Sequence, residues 1–157
     1  MKPILVVGLG NPLMGDDGVG CAVAECLVRD PRLPEWADVI AGGSDLLRYA
    51  GLMEGRRLVV VLDAIQDEAA PGTVATLDEN AAGLEMRQEH AHHISALQAM
   101  RLLSMTIPAD FLLLAISIAS AGIGTDLSSR VRDRLPAIVE KVLGEIEYLG
   151  AGKLQCS

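Results

Sequence analysis

The sequence predicts a three-layer α/β sandwich, a mostly parallel five-stranded sheet with helices on both faces. Three observations predict it. Apolar strand-like runs alternate with helical patterns along the chain. The runs at 3–8, 57–62 and 111–118 are almost continuously apolar, as strands covered on both faces must be. Half of the 157 residues are hydrophobic and only 3% are aromatic, so the core is built from Val, Leu, Ile and Ala.

The elements follow in order. Residues 3–8 read as the first strand. Residues 17–29 read as a helix with Val19, Val23, Cys26 and Leu27 on one face and Asp16 as its N-cap. A short strand at 37–41 runs into Gly42-Gly43-Ser44-Asp45 and a helix near 45–53. The run 57–62 is the clearest strand, with Asp63 at its carboxyl end. Pro71-Gly72 marks a turn, and 73–77 reads as an edge strand. A polar loop at 78–91 leads to a helix from about 93 to 104. Residues 111–118 form another buried strand, and the last helix covers about 127–149. Pro136 falls inside it and is expected to kink it or to begin its second half. Residues 1–150 are read as a single domain, and 151–157 as a loose C-terminal tail.

Composition narrows the function. A formal net charge of -8 lacks the basic footprint of a nucleic-acid binder. The longest apolar stretch, near 111–118, is too short to span a bilayer. Met1-Lys2-Pro3 runs straight into a strand, so no signal peptide is expected. Three cysteines, an odd number, fit a reducing cytoplasm. Cys21 and Cys26 read as small core residues, and Cys156 falls in the tail.

Chemistry concentrates at three places. In open α/β sheets ligands bind beyond the carboxyl ends of the strands. The first strand runs through "GLGNPLMGDDGVG" (8–20) into Asp16-Asp17. The third ends in Asp63. All three histidines lie at 90–93, in Glu89-His90-Ala91-His92-His93, as a helix begins. Taken singly, Asp17 is a helix-dipole residue, Asp63 a turn residue and the histidines a solvated loop. Taken together, two carboxylates and an imidazole at one sheet edge form an open metal site or an acid/base set. The glycine-rich turn is not a dinucleotide loop: position 13 is Leu, so the G-x-G-x-x-G fingerprint fails. Its glycines instead let the loop fold back and the helix pack on the first strand.

"GLGNPLMGDDGVG", then "VVLDAI" (Val60 to Ile65), then a histidine near the next helix start, resembles the hydrogenase maturation endopeptidases. "AGGSDLL" (Ala41 to Leu47) and "LSSRVRDRLP" (Leu127 to Pro136) extend the resemblance over nearly the whole chain. The resemblance implies an endopeptidase that removes the C-terminal extension of a nickel-iron hydrogenase large-subunit precursor after nickel insertion. Nickel would come with the bound precursor. The family's two acids and histidine, which are thought to contact that nickel, fall on Asp17, Asp63 and His93. His93 is favoured because Leu97 follows four positions later as in the family pattern; His92 is the rival. Some members carry an acid before the Gly-Gly pair, where this chain has Ala41, although Asp45 lies nearby. A cytoplasmic monomer is expected, with no nucleic-acid or membrane partner. Two other readings compete. One is a non-catalytic chaperone that binds metal or precursor. The other is a peptidyl-tRNA hydrolase, whose family also opens on "GLGNP" but lacks this Asp-Asp segment.

Overall fold

A computed structural model describes residues 1–78, 95–119, 121–124 and 126–154. The sheet has five strands: β1 (Ile4–Gly8), β2 (Ala37–Ala41), β3 (Leu58–Gln66), β4 (Val74–Asp78) and β5 (Asp110–Ile118). Their order is β2-β1-β3-β5-β4. All pairs are parallel except β4 with β5, which run antiparallel at the edge. This is the expected three-layer α/β architecture.

The alternation of side chains across the strands assigns the two faces. Ile4, Val6, Leu58, Val60 and Leu62 point to one side. They pack there with α1 (Val19–Arg29) and α4 (Ser129–Leu154). Leu5, Val7, Val59 and Val61 point to the other. They meet α2 (Ala50–Met53) and α3 (Ala96–Ser104). The helices therefore cover both sides of β1 and β3, whose apolar core side chains are almost wholly shut off from water. Among the described residues no helix is long and apolar enough to cross a membrane.

Several boundaries differ from expectation, each for a local reason. The first helix does not start at 17. Residues Gly15–Gly18 form a 3-10 turn, and α1 follows with Gly18, not Asp16, at its cap. β3 does not stop before Asp63. β5 keeps pairing with it through Asp63↔Ala115 as far as Gln66↔Ile118, whereas β1 ends opposite Leu62. Asp63 is thus the first β3 residue beyond the end of β1. α3 begins at Ala96, because Ser95 and Gln98 form a reciprocal capping box there. α4 passes Pro136 without a break and runs to Leu154. Pro136 lies on the exposed side of α4, where water can serve the carbonyl that its missing N–H leaves unpaired.

One close contact sets the fit of α1 on the sheet. A Cβ on Gly20 would stand 2.3 Å from the Leu9 carbonyl oxygen and 2.4 Å from that of Leu62. Both are backbone atoms of the sheet rim, so neither can swing aside. Gly20→Ala is expected to cost about 3 kcal/mol or to prevent folding. Gly51→Ala, which meets nothing within 4 Å, is the control and should stay within about 0.5 kcal/mol of wild type. Thermal unfolding of both variants checks this; equal stabilities would refute the close-contact account.

Candidate active site

The order β2-β1-β3 makes a topological switch point. From β1 the chain crosses through α1 on one face, and from β2 it returns through α2 on the other. Such points open a crevice outside the carboxyl ends of the strands. Asp17 and Asp63 stand at this crevice.

The 9–18 loop is built to bring Asp17 back over β1. Leu9 N donates to the Leu62 carbonyl at 2.7 Å, which ties the loop's start to β3. Gly10 adopts φ +138, and a Cβ there would lie 2.0 Å from the Asp17 carbonyl oxygen. Only glycine accepts both that backbone and that proximity. Asn11 N then donates to Asp17 Oδ2 at 2.8 Å, and Asp17 N donates to the Met14 carbonyl at 3.2 Å. The carboxylate is oriented by its own loop.

Asp63 continues the face of β3 marked by Val59 and Val61, so its carboxyl takes a position that on this strand is otherwise apolar. Burial and the nearby Asp17 charge push it up to about 7, against a hydrogen bond from Ala64 N at 2.8 Å that holds it down. The structure thus brings together two of the three side chains singled out from the sequence. His93, its rival His92 and His90 lie outside the described residues. Among the described residues, no three His, Cys, Asp or Glu side chains gather into a metal-binding group.

The neighbours of the pair include residues whose roles the sequence hid. Asp16 is the expected N-cap of the first helix; it serves the last helix instead. Its Oδ1 accepts from Ser128 N and its Oδ2 from the Ser128 hydroxyl, both at 2.7 Å. The same hydroxyl accepts from Val131 N at 3.4 Å in the first turn of α4. Asp16 is buried and wholly engaged in this clamp. Cys21 does more than fill space. Its thiol donates to the Gly42 carbonyl at 2.9 Å, which pins the Gly42-Gly43 turn against the start of α1. Burial first, then the charges of Asp63, Glu25 and Asp17, push this thiol up to about 11. It is therefore a neutral hydrogen-bond donor and no nucleophile. The Tyr49 hydroxyl accepts from Gly43 N at 3.0 Å and completes that wall. Asp45, the acid nearest the Ala41 position, is spent locally: it accepts from Leu47 N at the start of the 3-10 turn Leu46–Tyr49.

A neutral buried thiol and two carboxylates near enough for one charge to act on the other suit attack by an activated water rather than a covalent route. Residues 21–145 match the family described as hydrogenase maturation protease. The chain belongs to the hydrogenase maturation protease family. The hydrogenase 2 maturation protease of Escherichia coli K12 is 27% identical over 151 residues, 94% of this chain and 92% of that protein. A putative hydrogenase maturation protease from Methanocaldococcus jannaschii is 39% identical over 79 residues, 49% of this chain and 51% of that one. Among solved structures, the hydrogenase maturating endopeptidase HybD from E. coli matches with a TM-score of 0.73 and 26% identity, over 96% of this chain and 94% of that chain. The hydrogenase 2 maturation peptidase of a Thaumarchaeota archaeon matches with a TM-score of 0.67 and 27% identity, over 95% and 99%. This hydrogenase maturation protease is a peptide-bond hydrolase, which sets aside the peptidyl-tRNA hydrolase and chaperone readings.

The geometry separates the adjacent aspartates by experiment. Asp16→Ala leaves Ser128 N without its buried partner and should cost about 2–4 kcal/mol. Asp16→Asn, which can still accept from Ser128 N, should cost about 1 kcal/mol and keep activity. Denaturant titration with a cleavage assay checks both; loss of activity in a stable Asp16→Asn protein would refute a purely structural Asp16.

Asp63 gives a pH signature. Its folded-state value lies above its unfolded one, so the folded state holds the proton longer and stability falls as pH rises from about 4 to 7. Asp63→Asn, which cannot ionise, should escape that fall. Relative to wild type it should gain about 2–4 kcal/mol between pH 4 and pH 8. Parallel stability–pH curves for the two proteins would show that Asp63 is not raised.

Proposed function

We propose that this protease removes the C-terminal extension of a nickel-iron hydrogenase large-subunit precursor, and that Asp17, Asp63 and His93 grip the nickel that the precursor carries. The observation that carries the reading is the carboxyl pair. Ionising Asp63 beside Asp17 places two negative charges at one rim, and burial makes this costly. A divalent cation arriving with the substrate offsets both charges and displaces the proton, so a metal-loaded precursor is favoured over an empty one. The role of His93 rests on the family resemblance, in which a histidine precedes α3.

In this mechanism nickel belongs to the substrate. Asp17, held by Asn11 N, supplies a fixed oxygen ligand. Asp63 releases its proton as the cation binds; one carboxylate then takes a proton from the attacking water and returns it to the peptide nitrogen, which leaves as the amine when the C–N bond breaks. The Gly42-Gly43 turn leaves room for the substrate backbone, since a Cβ on Gly43 would meet nothing within 4 Å.

Asp17→Asn and Asp63→Asn should each lower processing by about 10²-fold or more while the domain stays folded. Mass spectrometry of the precursor, which reads the loss of its C-terminal peptide, checks this, with circular dichroism for the fold. His93→Gln should lose more activity than His92→Gln. Nickel-free precursor should stay uncut. Wild-type rates in either aspartate variant would remove that residue from the mechanism, and efficient cutting of empty precursor would remove metal recognition.

A further inference from the structure

Two large apolar side chains stand in solvent beside this crevice. Ile123 is 96% exposed and Leu13 is 63% exposed. Single exposed apolar residues are ordinary, but these two are neither isolated nor on independent loops. Gly124 N donates to the Leu13 carbonyl at 3.0 Å, and Gly15 N donates to the Gly124 carbonyl at 2.8 Å. The Asp16–Ser128 clamp fastens the same two loops a few residues further on. Leu13 and Ile123 therefore flank a small bridge held at both ends.

The bridge is continuous with the acidic site. Leu13 N donates to Asn11 Oδ1 at 3.0 Å, and Asn11 N donates to Asp17 Oδ2 at 2.8 Å. Leu13 is thus two hydrogen bonds from the carboxylate. We propose that Leu13 and Ile123 form an apolar lip that docks an apolar segment of the protein substrate beside the scissile bond. This rests on the reading of Asp17 and Asp63 as the cutting site. Leu13 and Asp17 ride on one loop, and the parallel Met14–Gly124 bridge sets Ile123 beside Leu13, so on that reading a protein cut at Asp17 lies against the lip and its burial rewards the approach. The lip acts in docking and leaves the chemical step alone, so it belongs to KM.

The test is steady-state cleavage of nickel-loaded precursor by Leu13→Ser/Ile123→Ser and by Ile123→Ser alone, which loses no buried contact. The expected result is a KM raised about tenfold or more in the double variant, with kcat within about twofold. Ile123→Val and Leu13→Met should restore a KM near wild type. Binding of uncut precursor to immobilised wild type and double variant, read by biolayer interferometry, should weaken in step. Unchanged KM and binding would overturn the lip, as would an equal fall in kcat. A shift from dimer to monomer in sedimentation with KM unchanged would assign the lip to self-association and overturn it too. Failure of wild type to cut the precursor would count against the site reading alone, because the binding measurement still decides the lip.

Discussion

The site depends on how closely the start of α1 approaches the end of the sheet. Gly20 sits against the carbonyls of Leu9 and Leu62, and the Leu62 carbonyl also accepts from Leu9 N. β1, β3 and α1 thus meet within one backbone thickness. That contact decides where the 9–18 loop can go. It must turn back sharply at Gly10 and return across the end of β1. Asp17 is left near Asp63, the first β3 residue beyond the last one paired to β1. An added methyl at Gly20 would lift the helix, and the loop carrying Asp17 would move with it.

This arrangement uses the same place in the fold as a phosphate loop and reverses its electrostatics. A strand, a glycine turn and a helix N-terminus are ordinarily an anion site. Here the turn carries two acids, and they divide the work. Asp16 is consumed by Ser128 and fixes the start of α4 across the molecule. Asp17 is held by one backbone N–H of its own loop. One member of the pair holds the architecture and its neighbour leaves a carboxylate at the crevice, where a phosphate loop would leave bare N–H groups.

Much of this was legible in the sequence, for a definite reason. β1, β3 and β5 are strong apolar runs, and their order with the helices leaves little choice of layer architecture. The family resemblance rested on side chains that cluster at strand ends, where an α/β sheet puts its chemistry. What was illegible was partnership across long separations. No local pattern shows that Asp16 holds the capping Ser128 of a helix more than a hundred residues later, and its place before a helical pattern suggests the wrong helix. The extension of β3 past Asp63 likewise depends on β5 continuing alongside it. The start of α3 was available in the spacing of Ser95 and Gln98, a capping-box signature that outranks the histidines before it.

On the proposed reading, the raised Asp63 carboxyl lets such a site wait for its substrate. Two ionised carboxylates in a partly buried crevice repel each other, and a fold that kept both charged would be strained whenever the crevice held no cation. Holding one proton near neutral pH removes that repulsion, and on the same reading an arriving cation would displace it. Cys21 cannot interfere: its thiol is held neutral by burial and by the same carboxylates, and it is tied to the Gly42 carbonyl. A soft thiolate beside the pair would capture metal for the enzyme itself. With the sulfur protonated and turned into a structural donor, the described part of the site offers oxygen ligands alone, and on the proposed reading it engages nickel only while the precursor holds the rest of the coordination shell.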